Sequence, residues 1–450
     1  MKIKRFLSGF IGLFLITSSV YAQFGEKGPG ASRAGNGTPP QYQILDIGVV
    51  NQGDASQGLG VSAGGIAVGR SLGTGSDAFI WTQNGGLTGL PRLSGRTFCL
   101  SAGANDIGFV AGTCSNSFSG SGRLPVIWQN GIVSQLPLPN GETIGDANDI
   151  NASGVAVGSI NGGTLQRGVI YSGGTGAVIS QTTSNGSFFV TAFGINDFGR
   201  IVGQGIDPNN AARNVGMVYD MGASNAIEVG ALPNANGALA FGVSNTGFVV
   251  GSSMMNQGSG LPFIWSESSG ITAIPLPTGT SQGSARGVNS AGWAVGTASS
   301  AFAIPFLYDG TNTYRLADLI PPGTGWDLST NTSSSALGIS DGNVIVGTGV
   351  LNGEIHAYAL VPAPEVSVGG RIVRSTGNGI PRAFVTISGG NLQTPVTVLT
   401  ATFGYYNFRG LQSGATYTVT VQSGRYTFAQ PTQMITPQGD VGDLNFVAEQ

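Results

Sequence analysis

The sequence predicts an all-β chain: a seven-bladed β-propeller closed by an N-terminal strand, followed by a small β-sandwich. Three observations predict it. One phrase, clearest as Gly194-Ile195-Asn196-Asp197-Phe198-Gly199-Arg200-Ile201-Val202-Gly203, occurs seven times, its copies ending at Gly69, Gly112, Gly158, Gly203, Gly251, Gly296 and Gly347. The intervals run from 43 to 51 residues, a period that marks stacked repeats. Beyond Leu360 the period stops and a different alternation of apolar and polar residues begins.

Residues 1–22 read as an export signal. Lys2, Lys4 and Arg5 precede an apolar run from Phe6 to Ile16, and Val20-Tyr21-Ala22 is a small-x-small cleavage site. That run is shorter than the ~20 residues a membrane span needs, and no transmembrane segment is expected elsewhere. Removing the three signal cations takes the net charge from −3 to −6 and leaves Lys27 as the one lysine. With no basic cluster, nucleic-acid binding is excluded. Residues 23–41, rich in Gly, Pro, Ser and Asn, read as a disordered linker.

Each unit of the 42–361 region carries the same pieces. A small-residue strand such as Leu239-Ala240-Phe241-Gly242-Val243 enters the turn Ser244-Asn245-Thr246-Gly247, then Phe248-Val249-Val250-Gly251. The fourth turn residue requires a positive φ, to close a tight hairpin or a one-residue bulge, hence glycine. The seventh copy has Asn343 there, the non-glycine residue that tolerates left-handed geometry best. A third strand follows, ending in an aromatic (Phe79-Ile80-Trp81, Phe263-Ile264-Trp265, Phe306-Leu307-Tyr308), and a fourth runs through segments such as Leu87 to Leu90 and Tyr314 to Leu319. Four short strands per unit define a propeller blade. The aromatics are expected to pack sheet against sheet. The seventh unit lacks a fourth strand after Leu360, while Tyr42 to Ile47 is a spare strand before the first repeat. Pairing the two closes the ring and removes exposed edges.

Cys99 and Cys114 flank the second turn. If Asn105 pairs with Gly108, the two cysteines face each other, as a disulfide requires; export favours its formation. A glycine bulge at Gly108 would instead put them on opposite faces. Residues 362–365 form a linker, and 366–450 read as a sandwich with strands such as Gly379 to Ile387, Thr400 to Phe408 and Tyr417 to Val421.

The repeat phrase, together with Asp77-Ala78-Phe79-Ile80-Trp81 and His356-Ala357-Tyr358, resembles the extracellular HAF repeat family over residues 42–361. The resemblance implies an exported β-rich protein and no defined activity. The run Gly404-Tyr405-Tyr406-Asn407-Phe408, Gly410-Leu411 and Tyr417-Thr418-Val419-Thr420-Val421 resembles the carboxypeptidase regulatory-like domain. That resemblance implies a transthyretin-like sandwich serving as a non-catalytic stalk, spacer or binding module.

Chemistry is sparse. The single histidine, His356, sits at a repeat position, which makes it a poor general base. Carboxylate candidates for glycosidase-like work are Asp77, Asp146, Asp149, Asp197 and Asp309; Asp106 and Asp197 are equivalent turn residues and are explained by turn chemistry. No catalytic residue, cofactor or metal site is assigned, and Cys99 and Cys114 are the one residue pair with a specific role. The expectation is a monomeric secreted, cell-surface or periplasmic binding or structural protein, not an enzyme. The propeller would serve as interaction platform, for an extracellular polysaccharide or protein ligand. The sandwich would act as spacer or carbohydrate-binding-like module, with Tyr405 and Tyr406 as its candidate contacts. The alternative is a carbohydrate-active hydrolase or lyase with acidic residues in the propeller funnel.

Overall fold

The computed structural model describes residues 39–139, 141–161, 165–255, 259–390, 392 and 394–449. The export signal and nearly all of the 23–41 segment lie outside the described residues. Within them the fold is all-β and propeller-like, with no α-helix; the one helical turn is the short 3-10 segment Leu316–Leu319. No helix among the described residues is long and apolar enough to cross a membrane.

Each of the first six repeats forms an antiparallel meander of four strands, built by the period-two alternation between turns. In the fourth unit these are Phe188–Ile195, Arg200–Asp207, Asn210–Asp220 and Ile227–Glu228, paired in chain order. The third, fifth and sixth units pair likewise. The first two join into one sheet through a parallel bridge between Ser76 and Phe98. Fourth strands are shorter than their apolar runs suggested. In the sixth unit the strand is Thr313–Arg315, and Leu316 and Leu319 leave it as a 3-10 turn that drives both leucines into the core.

The seventh unit pairs Ser335–Ile339 with Ile345–Leu351, and that strand with Glu354–Pro362. Tyr42–Asp46 lies antiparallel on the outer side of Glu354–Pro362, from Tyr42 opposite Pro362 to Asp46 opposite Tyr358. His356 bonds through Nδ1 to Asp46 Oδ1 at 2.9 Å across this pair. Its place is explained by that strand-to-strand contact.

The core lies between neighbouring sheets. One cluster joins Val202 and Val218 of the fourth unit to Ala240, Phe263 and Trp265 of the fifth; another joins Val346, Ala357 and Ala359 of the seventh to Ala67, Phe79 and Trp81 of the first. The third-strand aromatics Phe79, Phe263 and Phe306 are fully buried, filling the space between sheets with large apolar area.

Two glycines of the phrase have separate causes. The turn position lies at positive φ in all seven copies: Gly65, Gly108, Gly154, Gly199, Gly247 and Gly292 at 77–97°, and Asn343 at 61°. The terminal glycine is required by contact. A Cβ on any of the seven would lie 1.9–2.1 Å from a carbonyl oxygen of the facing strand, such as Thr191 O opposite Gly203. A bulge brings that carbonyl in: every inner strand slips register by one residue just there.

The bulge also settles the cysteines, by a route different from the simple hairpin. Asn105 N–H donates to Phe109 O, not to Gly108, which offsets the register by one. The bulge at Ala102 shifts it back, so Cys99 faces Cys114 and the two form a disulfide.

Residues after the propeller-like region form two facing sheets. One pairs Glu365–Arg374 with Tyr405–Gln412 and Phe446–Ala448; the other orders Val396–Leu399, Phe384–Gly389, Tyr417–Gln422 and Thr432–Ile435. Val368, Ile372, Val385, Phe408, Tyr417 and Phe446 fill the space between them. Because Pro362 still pairs with Tyr42 and the next strand starts at Glu365, only Ala363 and Pro364 lie between the two regions.

Candidate functional site: the axial cavity

The seven bulges leave seven residues outside the strand register: Leu59, Ala102, Asn148, Phe193, Phe241, Arg286 and Leu337. All seven line one cavity of about 280 Å³. A bulge re-aims a side chain; here it does so at the same place in every unit, so the cavity wall is the sum of seven equivalent positions. The strand neighbours on either side are constrained, and these seven are not, which is why they range from Ala to Arg.

The next position inward is glycine in six units (Gly60, Gly103, Gly194, Gly242, Gly287, Gly338) and aspartate in one, Asp149. The glycines allow neighbouring units to approach. A Cβ on Gly60 would lie 2.3 Å from Ala102 O, and one on Gly242 would lie 2.5 Å from Arg286 O. Asp149 breaks this ring. Its Oδ2 accepts from Ile195 N–H and its Oδ1 from Ile150 N–H, both at 2.9 Å. Burial pushes its carboxyl up to about 7. The two backbone donors oppose that rise, and the charge of Asp197 adds to it. Asp149 keeps partial access to cavity water although protein surrounds it.

Val61, Val243, Val288, Ile339 and Asp149 separate this cavity from a second, of about 120 Å³, on the turn side. The second is rimmed by the turns themselves, which are tied unit to unit. Asn105 Nδ2 donates to Asn151 O, Asn151 Nδ2 to Asn196 O, and Asn196 Nδ2 to Ser244 O. Asn289 Nδ2 donates to Ser340 O. Each asparagine also caps its own turn through Oδ1, as Asn196 does for Phe198 N–H and Arg200 N–H. Where serine replaces asparagine, Ser62, Ser244 and Ser340 keep the cap through Oγ, and other atoms reach the next unit: Gly64 N–H to Asp106, Thr246 Oγ1 to Ser290 O, Asp341 N–H to Ala63 O.

On the outer side of the bulge ring, Phe193 and Phe241 stand with ring centroids 5.3 Å apart, and the Arg286 guanidinium lies 3.8 Å from the Phe241 centroid. Burial lowers the Arg286 pKa. Its Nε donates weakly to Ser284 Oγ at 3.3 Å.

The five candidate carboxylates do not converge. Asp77 pairs with Arg92 beside a separate cavity of about 290 Å³ at the first unit. Asp146 lies near Arg123, Thr113 and Ser159; burial raises its carboxyl and Arg123 opposes the rise. Asp309 caps Thr311 and Asn312 and accepts from Tyr314. Only Asp149 and Asp197 line a common cavity, and Asp197 is engaged by Ala152 N–H and Asn245 Nδ2. Among the described residues no group of three or more metal-ligating side chains gathers. In the sandwich, Tyr406 is buried and donates to Leu444 O, while Tyr405 is 55% exposed beneath Arg371. The asparagine links and the bulge ring were not singled out from sequence. The signal for the ring is one hypervariable residue per repeat between a small residue and glycine.

A family model for the carboxypeptidase regulatory-like domain matches residues 367–449. The repeats draw no match to the HAF family. No curated protein matches the chain in sequence. Solved structures resemble it in fold. A streptogramin B lyase is 11% identical with a TM-score of 0.44, covering 71% of this chain and 98% of its own. Virginiamycin B lyase from Staphylococcus aureus is 13% identical with a TM-score of 0.40, covering 71% and 100%. TolB from Acinetobacter baumannii is 11% identical with a TM-score of 0.38, covering 63% and 59%. At these values the likenesses carry no argument about activity.

Proposed function

We propose that this chain is an exported, non-catalytic binding or structural protein whose seven repeats of the HAF type form a closed seven-bladed propeller. The axial cavity holds a small extracellular ligand, and the sandwich spaces or presents it. Closure is supported by the pairing of Tyr42–Asp46 with Glu354–Pro362 and by contacts between the seventh and first units, including Ala357 N–H to Ser56 Oγ. The observation that carries the binding reading is the bulge ring. Seven positions freed from structural duty face one cavity, and they hold an arginine, two phenylalanines and an asparagine. The test is a ligand screen on the full chain by thermal shift, repeated with Leu337→Trp, which fills the cavity. Ligands that bind the parent should be lost in the variant; ligands that bind both equally would place the site elsewhere.

Asp149 and Asp197 on one cavity favour a second reading, a carbohydrate-active enzyme. It predicts product release from a polysaccharide panel that Asp149→Asn abolishes.

A further inference from the structure

Arg286 is the arginine that lines the bulge-ring cavity; like Arg70, Arg96, Arg167 and Arg315 it has no carboxylate partner among the described residues. Arg92, Arg123, Arg200 and Arg213 each have a carboxylate within ion-pair distance. Arg286 is instead an exposed residue on the cavity wall. One face of its guanidinium is covered by Phe241, a cation–π contact. A guanidinium fork binds a carboxylate through two parallel N–H bonds, and Arg286 lines open space in two adjoining cavities.

Arg286 and Phe241 also line a second space of about 340 Å³ that adjoins the axial cavity. Its wall is rich in hydroxyl and amide groups: Gln282, Ser284, Thr297 and Ser299. Three kinds of contact therefore meet at one spot. There is a cationic fork, a pair of half-buried aromatic rings, and a rim of neutral hydrogen-bonding groups. A planar aromatic acid would use the first two and leave the rim idle. A neutral sugar would use the last two and leave the arginine unpaired. A sugar acid uses all three, since its ring carries an apolar C–H face, hydroxyls and a carboxylate.

Resting on the axial-cavity reading, we infer that the site formed by Arg286, Phe241 and Phe193 binds a uronic-acid residue. The carboxylate sits on the Arg286 fork, the C–H face lies on the phenylalanine rings, and the ring hydroxyls reach the Gln282–Ser284 rim. A bidentate charged contact of this kind discriminates strongly against the uncharged analogue, because losing it leaves the guanidinium unpaired.

Calorimetric titration of the full chain with oligogalacturonate, neutral galacto-oligosaccharide and benzoate tests this. Oligogalacturonate should bind at least tenfold more tightly than either control, with affinity falling as salt rises. Arg286→Gln should lose at least tenfold toward oligogalacturonate and nothing toward the neutral sugar. Arg286→Lys, which keeps the charge without the fork, should fall between. Melting temperatures of both variants should match the parent, and Arg315→Gln, outside the cavity, should bind as the parent does. Equal binding of acid and neutral sugar, or full acid binding by Arg286→Gln, overturns the inference while leaving the cavity reading in place. Tighter binding of benzoate than of oligogalacturonate overturns the sugar assignment. If none of the three probes binds, the inference fails, and the ligand screen on the parent and Leu337→Trp decides the cavity reading separately.

Discussion

Replacing Asn196 with alanine removes three hydrogen bonds from one buried side chain. Two are accepted by Oδ1, from Phe198 N–H and Arg200 N–H at 3.1 and 2.8 Å. The third is donated by Nδ2 to Ser244 O in the next unit at 2.9 Å. A typical intramolecular hydrogen bond contributes ~1 kcal/mol net, and a buried group left without a partner costs ~1–3 kcal/mol. Asn196→Ala should therefore destabilise the fold by about 3 kcal/mol. The repeats supply their own control. Ser62, Ser244 and Ser340 occupy the same position and keep the turn cap through Oγ, at 3.0, 3.1 and 2.9 Å, but their side chains do not reach the next unit. Asn196→Ser should keep the cap on Arg200 N–H but lose the bond from Phe198 N–H and the inter-unit bond, about 2 kcal/mol. Guanidinium unfolding midpoints at constant m-value measure both. Equal losses in the two variants would refute the division into a cap and a link. No loss in Asn196→Ala would refute the claim that the asparagine ties neighbouring units together.

Asp149 gives a pH test. Its carboxyl titrates near 7 in the fold and near ~3.9 in an unfolded chain, so between those values the folded state holds a proton that the unfolded state lacks. Its contribution to stability is complete below pH ~4, is lost as pH rises toward 7, and is flat above. The ceiling is ~4 kcal/mol from a three-unit shift, lowered by water in the cavity. Asp149→Asn should remove this slope from unfolding free energies measured between pH 5 and 8; an unchanged slope would show that Asp149 does not cause it. In the second unit, Gly112→Ala puts a Cβ 2.1 Å from Leu100 O and should cost about 3 kcal/mol. Gly108→Asn, which copies Asn343 at a position with open space around it, should cost less than about 1 kcal/mol. The comparison is read by thermal melting. Cys99 and Cys114 should resist alkylation until reduced, and reduction should cost ~3 kcal/mol for a loop of this length; two thiols labelled without reductant would contradict the bridge.

The parts legible in the sequence were those set within a few residues. Turn glycines at positive φ, the Asn343 substitution and the apolar third strands are all local, and each appears as the spacing suggests. The short fourth strands were less legible, because Leu316 and Leu319 satisfy burial equally well from a 3-10 turn. The bulge was not legible at all. It arises where an inner strand bends beside its neighbour, and Phe193 or Arg286 reads as an ordinary strand residue until the register slips. The asparagine links escaped for the same reason, since Asn151 and its acceptor at Asn196 are 45 residues apart in chain. The cysteines show the risk in a purely local argument. The facing pair results from two offsets that cancel, one at the turn and one at Ala102.

The cavity needs the seventh unit to sit beside the first, and the pairing of Tyr42–Asp46 with Glu354–Pro362 latches that arrangement. Gln43 lies opposite Val361 in that closure, and facing strand residues sit within ~4.5–5.5 Å between Cα atoms, a spacing that accepts a disulfide. The measurement is peptide mapping of oxidised Gln43→Cys/Val361→Cys by mass spectrometry without reduction. A closed ring gives a single intramolecular 43–361 bridge in high yield, with the melting temperature kept or raised. Two free thiols at these positions in a folded protein, or bridges between separate chains, would contradict ring closure by the first strand.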